Sequence, residues 1–194
     1  LVELSCGLLF VTSNYSVPSI FSISSEYIIT VFGWIFFSLL LPLAILDIKY
    51  FWLPESICKI GIISGILSSV IIETLYISSS KYLITLNSII AALLGYIVFQ
   101  LISEIGLRVF HKPAMGKGDS KLTALIGSWL GIKGTFITIW LAFNLAGIFV
   151  IIGLISKRIK RNQKIPFGTF LVLSGMSVWH FGNDTFTQIM YFGK

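Results

Sequence analysis

The sequence predicts an all-α polytopic membrane protein, a bundle of about six to seven transmembrane helices. Three observations carry that reading. Hydrophobic residues make up 56% of the 194 and charged residues only 11%, against about 25% charged in a soluble domain. With a mean hydropathy of +0.93, such a chain cannot cover its surface for water. Apolar runs alternate with short polar connections, and several runs approach the ~20 residues that cross a hydrocarbon core. The basic residues gather between the runs rather than within them. A lipid-facing backbone must satisfy its own hydrogen bonds, so the runs are read as helices. The alternating short strands of a β-barrel are absent.

The elements follow in order. Val2 to about Thr12 is short and reads as a partial span, with the polar connection TSNYSVPSIFSISSE behind it. Tyr27 to Leu46 is a full span, Ile57 to Ile77 another, and Leu83 to about Leu107 a fourth. Leu122 to Leu130 is short, and Gly131 and Gly134 close it. Thr135 to Ser156 crosses fully, and Ile165 to about Phe181 is the last run. No internal repeat appears, and residues 1–194 read as one domain. The chain opens on Leu inside an apolar stretch, without a charged n-region or cleavage site. It is therefore not read as starting with a signal peptide; it is expected to be a longer protein whose N-terminal part is missing.

Threading these runs alternately across a membrane separates the charges. Lys49, Lys59, Arg108, Lys112, Lys117, Lys121 and the KRIKRNQK cluster (Lys157, Arg158, Lys160, Arg161, Lys164) fall on one side. Only Lys81, Lys133 and Lys194 fall on the other. A bias of eleven to three assigns the crowded side to the cytoplasm. The net charge of +6 is thus topological, and no nucleic-acid partner is expected. The KRIKRNQK cluster is assigned to topology and to anionic membrane lipid. Cys6 and Cys58 are too few for a disulfide framework or a zinc site. His111 and His180 lack partners at ligand spacing, so no metal and no cofactor are expected.

The same threading brings two acids to one depth. Asp47 ends the second run and Asp119 starts the fifth, both on the crowded side. Either alone could be an interfacial cap, Asp119 favoured by the dipole of a helix N-terminus. Together they read as functional, the default for ionisable groups in a membrane. Gly116 and Gly118 flank Asp119, letting the backbone bend and another segment approach. Pro54, with Phe51 and Trp52, reads as an interfacial turn after Asp47. Two facing carboxyls suit water activation: one, ionised, takes a proton from water, and its protonated partner donates to a carbonyl oxygen. Held close, they cannot both ionise, so the pair shares a proton.

Four stretches also carry a resemblance. LDIKYFWLPE is similar to the D-x6-P element, and GKGDSKL to the GxGD-x-K-L element, of the type IV prepilin peptidases. KIPFGTFL resembles their P-F-G-P segment, and the N-terminal LVEL their P-L-V-E segment. The likeness runs in order over essentially the whole chain. It implies a multi-pass aspartic endopeptidase of the bacterial inner membrane, with Asp47 and Asp119 as its catalytic pair. Such enzymes remove the basic leader of prepilins or pseudopilins, cutting after a glycine at the cytoplasmic face. Gly116, Gly118, Lys121 and Pro54 would support the site. Two departures stand out. Thr169 occupies the place of the second proline of P-F-G-P, expected only to loosen that turn. Nothing in these 194 residues resembles the family's leading helix and cytoplasmic domain, often with paired CxxC motifs, so the methyltransferase activity of bifunctional members is not expected to carry over.

Other polar residues are read more weakly. Glu3 either supports the site or caps an interface, and Lys121 either biases the acid pair or anchors its helix. Glu73 and Glu104 are expected to snorkel to the interface. No Ser–His pairing at a shared depth suggests serine catalysis. A proton-coupled transporter would place its acids near the midplane and often repeat its halves. Presenilin-like peptidases share GxGD but add Tyr-Asp and Pro-Ala-Leu elements, which do not occur here. A non-catalytic membrane protein of a secretion system is the remaining alternative.

Overall fold

A computed structural model describes residues 23–76, 83–111, 115–157 and 165–182. The run from Val2 to Thr12, Glu3, Lys81, Lys112, most of the KRIKRNQK cluster and Lys194 lie outside the described residues. Within them the protein is all-helical: α1 (Ile23–Tyr50), α2 (Glu55–Tyr76), α3 (Leu83–Phe110), α4 (Lys117–Ile155) and α5 (Phe167–Phe181). The first four are long and apolar enough to cross a membrane.

The ends of these helices follow from local chemistry. Helix α1 overruns its expected end at Leu46 and so carries Asp47 in its last turn. It stops where Phe51 turns to a positive φ of 51°, and Leu53 precedes a proline, which disfavours helical backbone. Pro54 then opens α2: it has no N–H to leave unsatisfied, while its carbonyl accepts from the Cys58 amide at 3.3 Å. At the other end, the Glu73 carboxylate accepts from the amides of Ile84 and Thr85, both at 3.2 Å, and from the Thr85 hydroxyl at 2.6 Å. Glu73 is buried and caps the start of α3, satisfying donors that a helix N-terminus leaves open. The expectation that it snorkels to the interface is corrected: the acid found closer partners inside the protein. Glu104 is exposed and accepts from Gln100 one turn earlier.

Helix α4 contains the break that the sequence placed after Leu130. Gly131 has φ 68° and ψ −175°, a region open essentially to glycine alone. The break frees the Ile132 amide, which donates to Oδ1 of Asn87 on α3 at 3.3 Å. The Thr135 hydroxyl donates to the Gly131 carbonyl at 2.6 Å. Before the break, Trp129 lies against Trp179 near the end of α5; after it, Phe143 lies against Phe167 at the start of α5. The chain has therefore turned back on itself by Phe143.

The arm from Lys117 to Leu130 is the centre of the bundle. From Asp119 to Trp129 every residue except Lys121 is buried, as expected of a helix with neighbours on all sides. Phe36, Phe37, Leu40 and Leu43 of α1 and Leu171, Val172 and Met176 of α5 pack with its Leu122, Leu125 and Ile126. Trp129 closes this core, its Nε1 donating to the Gly61 carbonyl at 2.9 Å. The second arm instead exposes Phe136, Ile148, Phe149, Ile151 and Ile152, the composition of a lipid-facing surface. The end of α1 and the starts of α2, α4 and α5 meet at one end of the bundle, where Asp119 is positioned.

Candidate active site

Asp47 and Asp119 come from segments 72 positions apart in sequence and are both buried, with 5% and 8% exposure. Asp47 sits in the last turn of α1, where that helix's own dipole opposes a negative charge. The opposition is offset by α5, whose first turn points its free amides at the carboxylate. Oδ2 of Asp47 accepts from the Thr169 amide at 2.8 Å and from the Thr169 hydroxyl at 3.2 Å. Asp119 is the third residue of α4 and its Oδ2 accepts from the Gly116 amide at 3.1 Å. There the helix dipole favours the acid. The Ser103 hydroxyl on α3 holds the preceding Met115 carbonyl at 3.0 Å.

Gly168 lies between the two acids. A methyl group on it would stand 2.9 Å from Asp47 Oδ2 and 3.2 Å from Asp119 Oδ1. Both oxygens thus lie against the same glycine, and cannot be farther apart than the sum of those distances, about 6 Å. With its glycine, the start of α5 brings its backbone against both carboxyls, where a side chain would crowd them.

The other residues singled out in the sequence occupy distinct positions. At Gly118 a Cβ would meet the Cβ and Cδ1 of Leu53 at 2.9 Å, so this glycine admits the chain that follows Asp47. Gly116 has an ordinary extended backbone, φ −71° and ψ 144°; its amide, rather than any glycine flexibility, serves Asp119. Pro54 sets the start of α2 and so seats Leu53, which is buried, on Gly118. Lys121 pairs with Glu55 at 3.0 Å, and Glu55 also pairs with Lys59 at 3.1 Å. The lysine joins the starts of α4 and α2. Tyr50, Phe51 and Trp52 are exposed beside the site, as suits rings at headgroup level.

Thr169 corrects the sequence reading. It does not loosen its turn; it supplies two donors to Asp47, and a proline there would supply neither. Gly168 escaped notice as well. The available signal was the pattern of a proline followed closely by a glycine and a hydroxyl residue at a helix start, a ready site for an anion.

Comparison with known proteins places the chain in a family. The model of the type IV leader peptidase family matches residues 34–152, which include both acids. The chain belongs to that family. It is 27% identical over 159 residues to a prepilin leader peptidase/N-methyltransferase of Xanthomonas campestris pv. campestris, covering 79% of this chain and 53% of that protein. It is 38% identical over 90 residues to the protein so named in Aeromonas hydrophila, covering 46% and 31% respectively. A relative of that name in Stutzerimonas stutzeri aligns with all of this chain at 25% identity, over 62% of its own length. The chain therefore spans less than two thirds of each of these relatives. No solved structure matches.

Proposed function

We propose that this protein is a membrane-embedded aspartic endopeptidase that removes the leader of type IV prepilins or pseudopilins. The observation that carries the reading is that Asp47 and Asp119, both buried, lie against the same residue, Gly168. In the reaction, a water between the carboxyls loses a proton to the ionised acid as its oxygen bonds to the peptide carbonyl carbon. The protonated acid gives its proton to the carbonyl oxygen, forming a tetrahedral diol. The C–N bond then breaks, the first acid returns its proton to the leaving amine, and a diol hydroxyl reprotonates the second acid. No acyl-enzyme forms, and the pair ends as it began.

The site faces the cytoplasm in this account. The eleven-to-three distribution of basic residues supports that orientation, as does the gathering of Lys49, Lys59, Lys117 and Lys121 at the site end of the helices. The two arms of α4 cross separately, which brings the bundle to six segments, and to seven with the N-terminal run included. The setting is the inner membrane of a bacterium, and substrate chains enter from lipid with their basic leaders in the cytoplasm. The test is direct: the protein in nanodiscs is mixed with a prepilin-like peptide bearing a basic leader. Cleavage after the leader glycine is expected; an intact peptide at high enzyme concentration refutes the assignment.

A further inference from the structure

The two acids are not held alike. Asp47 receives two hydrogen bonds on one oxygen, from the amide and the hydroxyl of Thr169 at 2.8 and 3.2 Å. Asp119 receives one, from Gly116 at 3.1 Å, on the oxygen that is not the nearer to Gly168. Among the described residues nothing donates to the other oxygen of Asp119. An amide can only donate, so a proton on Asp47 Oδ2 would face a second proton and forfeit that bond. The Thr169 hydroxyl has a single proton; the Ala44 carbonyl competes for it from 3.5 Å, farther than the carboxylate. All of these contacts favour a charge on Asp47 over a charge on Asp119.

We propose that Thr169 is a positioning residue: its amide and hydroxyl keep the shared proton on Asp119, making Asp47 the base and Asp119 the acid. The proposal rests on the catalytic pair described above and divides its labour. Asp47 takes the proton of the attacking water, and Asp119 gives its own to the carbonyl oxygen. Thr169 acts only through Asp47. The arrangement also explains how a carboxylate is tolerated at the C-terminal end of α1, since α5 supplies the donors that α1 cannot.

Two measurements test the assignment. The first is labelling in nanodiscs at neutral pH with dicyclohexylcarbodiimide, which reacts with protonated carboxyls, read by mass spectrometry of the two peptides. Label is expected on Asp119 and not on Asp47, with Asp47 becoming labelled in Thr169→Val and staying unlabelled in Thr169→Ser. Labelling of Asp47 ahead of Asp119 in the parent protein overturns the proposal, and this readout needs no turnover. The second is the pH profile of kcat/KM. Thr169→Val removes a donor to the ionised base, so the acidic limb should move up by about one pH unit. Thr169→Ser should restore it. An unmoved limb in a Thr169→Val protein that still cleaves overturns the role of Thr169 and leaves the acid pair standing.

Discussion

Gly168→Ala is the substitution for which the structure makes the sharpest demand. The new methyl would lie 2.9 Å from Asp47 Oδ2 and 3.2 Å from Asp119 Oδ1, where unstrained contacts of carbon fall near 3.5–4.0 Å. One of the carboxyls must give way, and Asp47 is tied to Thr169. Stability should fall by no more than about 2.5 kcal/mol: alanine in place of helical glycine gains about 0.5–1 kcal/mol, while crowding costs about 1–3 kcal/mol. Turnover should collapse, because the methyl stands against both carboxyls and pushes at least one of them out of place. Misplacing reacting groups by about 1 Å costs on the order of 100-fold, and a loss of at least that size is expected. The assay is cleavage of a prepilin-like peptide in nanodiscs alongside thermal unfolding of the same sample. Gly147→Ala is the control, since a methyl there meets nothing within 4 Å. A Gly168→Ala protein with turnover within a few-fold of the parent would refute the reasoning.

Three further outcomes are expected. Gly131→Ala should lower stability by about 2–3 kcal/mol, read by thermal or denaturant unfolding, since its backbone is glycine-specific and a Cβ would stand 2.3 Å from Asn87 Nδ2. In a protein freed of its native cysteines, a cysteine at exposed Lys117 should be shielded in intact cells from an impermeant thiol reagent, while one at exposed Lys133 reacts; the reverse would invert the topology. Ser120 would not serve this purpose, because it is buried whichever way the chain faces. Activity should fall at both pH extremes: when both acids are protonated no base remains, and when both are ionised no acid remains. A profile flat across the titration of both carboxyls would exclude a one-proton pair.

Much of this was legible in the sequence, for physical reasons that also mark where legibility ended. Apolar run length located α1 to α3 and α5 because lipid allows the backbone few alternatives to helix. The break in α4 was visible at Gly131, since glycine is the residue that such a φ requires. Asp47 and Asp119 stood out because a carboxylate in an apolar chain is costly and demands a reason. What the sequence did not disclose were contacts between distant segments. Glu73 was read as an interfacial acid because nothing local shows that Ile84 and Thr85 come within reach of it. Lys121 could be placed beside Asp119 along the chain, but its pairing with Glu55 depends on how α2 and α4 start side by side. Thr169 was compared with a proline as a turn residue, whereas its role comes from Asp47, 122 positions away.

The central claim, that Asp47 and Asp119 together activate water, is tested most directly by single and double replacement with asparagine. Asparagine keeps the size and most of the packing of each acid but can neither accept the water's proton nor cycle its own. Peptide cleavage should be abolished in Asp47→Asn and in Asp119→Asn, with each protein still folded in the membrane. The double variant should add little, because the two acids act as one unit. Substantial turnover by either single variant would contradict the account and make the carboxyl pair a structural feature.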